Sequence, residues 1–248
     1  MKLRHIDKQA REAQRQMCVG FTVAALTGIV GLLSKGVGFG QDGDSQHLAS
    51  RANLVALVDQ VAADRDAGEV VRDSRGEIIS MRLRHGFATE SNLALLAGVN
   101  TLQRITLQAM PSDWTIGPAG FRSLAGLTNL TFLGLACGGE LKRGTFAEIC
   151  RLGQLRKVAL EAVYPPVDEY RAVTNLRNLA EMYVGHATNF GDLQLCLLTN
   201  LPNLRNVRFD QTAVSDKWEG LLPSFKSLTN IVVKRGTRST NWTSMARP

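Results

Sequence analysis

Leu179-Ala180-Glu181-Met182-Tyr183-Val184 carries apolar side chains at its first, fourth and sixth positions, and the chain contains seven such stretches. The others are Ile78-Met81-Leu83, Leu102-Ile105-Leu107, Leu130-Leu133-Leu135, Leu155-Val158-Leu160, Leu204-Val207-Phe209 and Leu228-Ile231-Val233. Their first residues lie 24, 28, 25, 24, 25 and 24 apart. Self-similarity at a fixed period of this length marks a repeat architecture, in which one unit cannot bury its own apolar face and stacks on its neighbours.

The register also recovers apolar residues between these stretches. Nine residues before each later triplet stand Leu93, Phe121, Phe146, Tyr170 and Leu195, with Glu219 beside Trp218 as the one break. Six before stand Leu96, Leu124, Ile149, Val173, Leu198 and Leu222, and three before stand Val99, Leu127, Leu152, Leu176, Leu201 and Phe225. A weaker rung fourteen before holds Ala88, Ile116, Leu141, Pro165, Phe190 and Val214. Each turn reads as a strand, a loop and a short helix or 3₁₀ segment returning to the next strand. Equivalent strands then lie parallel in one continuous sheet.

These residues resemble the leucine-rich-repeat proteins, and more narrowly the exported bacterial ones whose turns read Thr-x-Val-x-Asp before the helix. Thr212-Ala213-Val214-Ser215-Asp216, followed by Leu221 and Leu222, is the match, and the resemblance covers roughly residues 70–236. It implies an α/β leucine-rich-repeat solenoid with a curved parallel sheet. The rung that often carries Asn or Cys in that family instead holds Met110, Gly138, Val163, Ala187, Thr212 and Gly236, so no side-chain amide ladder forms there.

Solenoid ends need caps. Leu54, Leu57, Val58 and Val61 follow helical spacing, and Val70-Val71 and Ile78-Ile79 flank the polar turn Asp73-Ser74-Arg75-Gly76. A helix followed by a β-hairpin is the expected N-terminal cap. Residues 47–84 form this cap with the first repeat strand, 85–236 the repeats, and 237–248 a mobile tail that leaves the last turn poorly covered.

Residues 17–34 contain no charge. Eighteen residues as helix reach about 27 Å, close to the roughly 30 Å of a hydrocarbon core. Ahead of them, residues 1–16 carry Lys2, Arg4, Lys8, Arg11 and Arg15 against Asp7 and Glu12, which predicts a cytoplasmic N-terminus and exported repeats. The length of the polar lead favours an uncleaved transmembrane anchor over a signal peptide cut near Gly40, with residues 35–46 as linker.

The net charge of +7 divides unevenly. Up to Lys35 there are six basic and two acidic residues; the remainder holds 23 and 20, an excess of three. That balance, with no basic-aromatic stripe, excludes a nucleic-acid footprint. Cys137, Cys150 and Cys196 read as small buried hydrophobes, without metal-ligand spacing to histidine. His85 and His186 follow different strands, and no Ser/His/Asp set is legible. No catalytic residue, cofactor or metal is expected.

A binding surface remains. Residues flanking the core positions of each strand point outward by the strand period of two. They define a concave face with Arg82, Arg84, Arg104, Phe132, Lys157, Glu181, Tyr183 and Arg208 as partner contacts. The longer loop before the third repeat strand offers Trp114 as a second contact point. The expectation is a membrane-anchored module that binds a protein partner, with an envelope component self-associating through its solenoid ends as the alternative.

Overall fold

The computed structural model describes residues 41–235 and 238–243. The chain divides into two units, Met1–Leu48 and Ala49–Pro248. The apolar segment 17–34 lies outside the described residues. Among those described, no helix is long and apolar enough to cross a membrane.

The second unit is built on one nine-stranded sheet whose spatial order is its chain order. After helix α1 (Gln41–Ala63), strand β1 (Gly68–Arg72) pairs antiparallel with β2 (Ile78–Arg84). Strands β3 (Arg104–Gln108), β4 (Phe132–Glu140), β5 (Lys157–Tyr164), β6 (Glu181–Gly185), β7 (Asn206–Asp210) and β8 (Asn230–Arg235) follow in parallel. The pairing joins equivalent triplet positions throughout: Met81, Ile105, Leu133, Val158, Met182, Val207 and Ile231 form one continuous row.

The returning segments change type where the chain is least suited to α-helix. Helices α2 (Glu90–Leu96), α3 (Pro118–Ser123), α4 (Thr145–Cys150) and α5 (Asp192–Leu198) span two turns or fewer. Val167–Asn175 and Asp216–Ser224 are 3₁₀ instead; each begins just after proline or a polar cap, and the second contains Pro223. Their apolar rungs meet the strand rungs in one core. Leu93, Leu124, Leu155, Leu179 and Leu204 are fully enclosed, and each such side chain favours the folded state by about 1.5–3 kcal/mol. An aromatic run crosses four turns: Phe146, Tyr170, Phe190 and Phe209 pack in sequence with centroids 5.2–5.6 Å apart.

Two features hold the turns in register. At the exit of three strands, and at the same repeat position inside β5, a non-glycine residue takes the left-handed region: His85 (φ 47°), His186 (49°), Gln211 (54°) and Ala162 (49°). Each stands two residues past the last residue of its apolar triplet, and each costs roughly 1 kcal/mol that packing must offset. At the strand entrances a polar ladder runs through every turn. Thr101 donates to the carbonyl of Ile78, Asn129 to Asn100, Gln154 to Leu127, Asn178 to Gly153, Asn203 to Arg177 and Ser227 to Pro202, at 2.6–3.0 Å. A side-chain ladder does exist, therefore, at the strand entrance rather than at the exit rung.

The C-terminal end departs from expectation. Strand β9 (Arg238–Thr243) pairs antiparallel along the outer edge of β8, across six residue pairs from Asn230↔Thr243 to Arg235↔Arg238. The tail expected to be mobile thus supplies a hairpin strand that covers the last repeat.

Candidate functional site

The side chains on the face of the sheet away from the core form three rows, set by strand pairing. One row reads Arg104, Phe132, Lys157, Glu181, Asn206, Asn230; the next Arg82, Thr106, Gly134, Ala159, Tyr183, Arg208, Val232; the third Arg84, Gln108, Ala136, Glu161, Gly185, Asp210, Lys234. The middle of the face is floored by small residues, so the long side chains around it stand as walls. The resulting groove encloses about 500 Å³. Arg104, Phe132, Lys157, Glu181, Tyr183 and Arg208, all expected as contacts, line it together with Ala159, Asn206, Asn230 and Val232. Arg82 and Arg84 sit on the same face outside that groove.

Two matching platforms dominate it. The Phe132 ring lies back over Gly134, whose added Cβ would stand 3.2 Å from the ring. The Arg104 guanidinium covers the ring at 4.2 Å from its centroid. The Tyr183 ring likewise runs toward Gly185, where a Cβ would collide with the phenol oxygen, and Arg208 lies 5.7 Å from the ring centroid. Each platform is an aromatic–x–glycine strand segment with arginine from the neighbouring strand. Each stacked cation contributes about 0.5–1 kcal/mol at such exposed positions, enough to orient the rings but not to fasten them.

Tyr183 is further held by Glu161: its hydroxyl donates to Glu161 Oε2 at 2.6 Å, while Glu161 Oε1 lies 2.5 Å from His186 Nδ1. The Tyr164 hydroxyl donates to the backbone carbonyl of His186 at 2.7 Å. Partial burial, followed by the Glu161 carboxylate, pushes the Tyr183 phenol well above its ordinary value. Tyr183 therefore stays protonated and offers a hydrogen-bonding tip on an apolar ring. This carboxylate link between a strand tyrosine and a loop histidine was not legible beforehand. Its only sequence signal is a separation of one repeat, 22 and 25 residues.

Charge on the face is distributed unequally. Lys157 pairs with Glu181 at 2.6 Å, Arg208 with Asp210 at 3.3 Å, and Arg82 with Glu69 of β1 at 3.3 Å. Such half-exposed pairs contribute little, about 0–1 kcal/mol each. Arg84 donates to the carbonyl of Arg65 at 3.1 Å, and its buried Nε finds no partner.

Trp114 is not a presented contact. It is 8% exposed and belongs to the core, its indole N–H buried without a partner. Pro111–Asp113, just before it, form an exposed 3₁₀ turn. Cys137 and Cys150 are buried as expected, whereas Cys196 is exposed on α5.

No protein-family model matches the chain, and no curated protein matches it. Similar solved structures are leucine-rich-repeat proteins. Internalin C2 of Listeria monocytogenes is 20% identical over 58% of this chain and 56% of its own, with a TM-score of 0.40. An internalin (inlF) of the same organism is 14% identical over 64% and 51%, at 0.38. The leucine-rich-repeat domain of the type III effector XopL is 14% identical over 72% and 74%, at 0.35. The aligned region thus spans about half the length of the two internalin chains.

Proposed function

We propose that this protein is a non-catalytic binding module that takes a protein partner against the open face of its sheet. The observation that carries this reading is the groove with its two arginine-capped aromatic platforms. Aromatic rings and arginine are the residue types that anchor protein interfaces. Here they are aligned by the sheet register and fixed by glycines that let the rings lie flat. A stable interface covers about 800 Å² on each partner, more than the groove alone presents. The partner therefore extends along the sheet, reaching Arg82 and Arg84 at one end. We further propose that residues 17–34 anchor the chain in a membrane, N-terminus cytoplasmic and repeats exported. The uncharged run and the basic residues preceding it support that orientation.

The test is crosslinking and mass spectrometry of the tagged full-length protein in its source cells, beside an Arg104→Glu/Tyr183→Ala variant. A distinct partner recovered by the wild type and lost in the variant supports the reading. Recovery of copies of the chain alone, equally in both, sinks it and favours end-to-end assembly.

A further inference from the structure

The two rims of the sheet differ sharply in charge. Six connections, residues 97–103, 125–131, 151–156, 175–180, 199–205 and 225–229, lead into strands β3 to β8. They contain five basic residues (Arg151, Arg156, Arg177, Arg205, Lys226) and no aspartate or glutamate. Backbone bonds stack them into one continuous edge: Arg156 N–H donates to Thr131, Ala180 to Arg156, Arg205 to Ala180 and Thr229 to Arg205. Arg151 is occupied by Glu148 at 2.8 Å. The other four are exposed and form no ion pair among the described residues. They fall one to a turn in four consecutive turns, so with strands about 4.8 Å apart they span about 15 Å.

The opposite rim behaves differently, because its carboxylates hold the loops together. Glu90 accepts from the Gly117 amide at 2.7 Å, Glu169 from the Gly144 amide at 2.5 Å, and Asp192 from the Ser215 amide and hydroxyl at 2.7 and 2.6 Å. Acidic side chains there have structural work. The four cations of the basic rim have none.

The basic rim also carries a hollow of about 480 Å³, lined by Gln103, Thr128, Asn129, Gln154, Arg156 and Asn178 among others. Asn129, Gln154 and Asn178 spend their amide N–H groups on backbone carbonyls. Their carbonyl oxygens accept from no group among the described residues. The hollow therefore combines hydrogen-bond acceptors with the Arg156 guanidinium. The exposed large apolar residues lie elsewhere, at Leu48, Val55, Val71, Met110, Val167 and Leu193. Base stacking, membrane insertion and an anchored protein interface all need aromatic or apolar contacts that this rim lacks.

We propose that this rim binds an acidic polysaccharide, whose carboxylate or sulfate groups pair with Arg156, Arg177, Arg205 and Lys226 and whose hydroxyls donate to the amide row. The site is separate from the open-face groove, so either can fail without the other.

The test measures binding of the full-length chain to immobilised polygalacturonate and heparin. Polyglutamate, a single-stranded oligonucleotide and phosphatidylglycerol vesicles run alongside. One variant neutralises the rim (Arg156→Ser, Arg177→Ser, Arg205→Ser, Lys226→Ser). A control removes four exposed cations elsewhere (Arg51→Ser, Arg75→Ser, Arg171→Ser, Lys217→Ser), and circular dichroism checks that both fold. Each exposed ion pair contributes a factor of about two or more, so the rim variant should bind either polysaccharide about twentyfold more weakly. The control should stay within about threefold on the same reasoning. Equal losses in the two variants, no polysaccharide binding by the wild type, or tighter binding to polyglutamate, oligonucleotide or vesicles would each overturn the proposal.

Discussion

Removing the ring of Phe190 should cost more than any single change on the sheet's open face. The ring is 1% exposed. It stacks on Phe209 at 5.2 Å with planes 25° apart, and meets Tyr170 edge-on at 5.6 Å and 77°. These neighbours belong to the adjoining turns, so the space left by Phe190→Ala closes only if strand β7 or the 3₁₀ segment Val167–Asn175 moves. Buried Phe→Ala changes cost about 3–5 kcal/mol, the upper half where the site cannot collapse, so about 4 kcal/mol is expected here. The stacking itself is isolated by Phe190→Leu, Phe209→Leu and the double variant, with a coupling of about 1 kcal/mol. The assay is urea unfolding followed by far-ultraviolet circular dichroism, comparing midpoints and slopes. A loss below about 2 kcal/mol for Phe190→Ala, or additivity of the two leucine changes within about 0.3 kcal/mol, would refute the aromatic run as a continuous packing element.

Three further outcomes follow from named contacts. Glu148 is held between Arg122 and Arg151 at 2.7 and 2.8 Å, and the Arg122 hydrogen bond chiefly keeps its carboxyl below the ordinary value. Hydrogen bonds from Ser215 do the same for Asp192. Both folded-state values are lowered, so their stabilisation is complete above the ordinary carboxylate range and is lost as pH falls from that range through the lowered folded-state values; Glu148→Gln should flatten the Tm–pH curve below about pH 5. Asn178→Ala removes one ladder bond of 2.9 Å to the Gly153 carbonyl and should lower unfolding free energy by about 1 kcal/mol in chemical denaturation. In Gly185→Ala the new methyl displaces the ends of two flexible side chains, Tyr183 and Glu161. Thermal unfolding should shift by less than about 1 kcal/mol, while partner affinity measured by calorimetry falls with the loss of the Tyr183 platform.

The repeat was readable because burial imposes itself at every turn. Met81, Ile105, Leu133, Val158, Met182, Val207 and Ile231 occupy equivalent positions whose side chains must leave water, and apolar periodicity records that directly. The outward residues were placed by the strand period alone, which is why Arg104, Phe132, Lys157, Glu181, Tyr183 and Arg208 could be named as neighbours. What escaped were contacts whose partners carry no periodic mark. Glu161 reaches Tyr183 and His186 one repeat away, and a glutamate at an outward strand position looks like any solvated charge. The entrance ladder uses Thr, Asn, Gln and Ser interchangeably, because each can donate to a carbonyl, so no single letter repeats. Trp114 misled for the opposite reason. An inserted loop reads as surface, and only the folded chain reveals that its indole is buried in the core rather than facing solvent. Strand β9 lay beyond the last apolar triplet, where period-based reading has nothing to extend.

The most direct test of the open-face binding site is oxidative footprinting of the full-length protein, alone and in complex with its captured partner. The rings of Phe132 and Tyr183 are partly exposed, whereas Tyr170 and Phe190 are enclosed by the core. The binding account predicts that Phe132 and Tyr183 are labelled in the free protein and protected in the complex, with Tyr170 and Phe190 unreactive in both. Equal labelling of Phe132 and Tyr183 with and without the partner would contradict it.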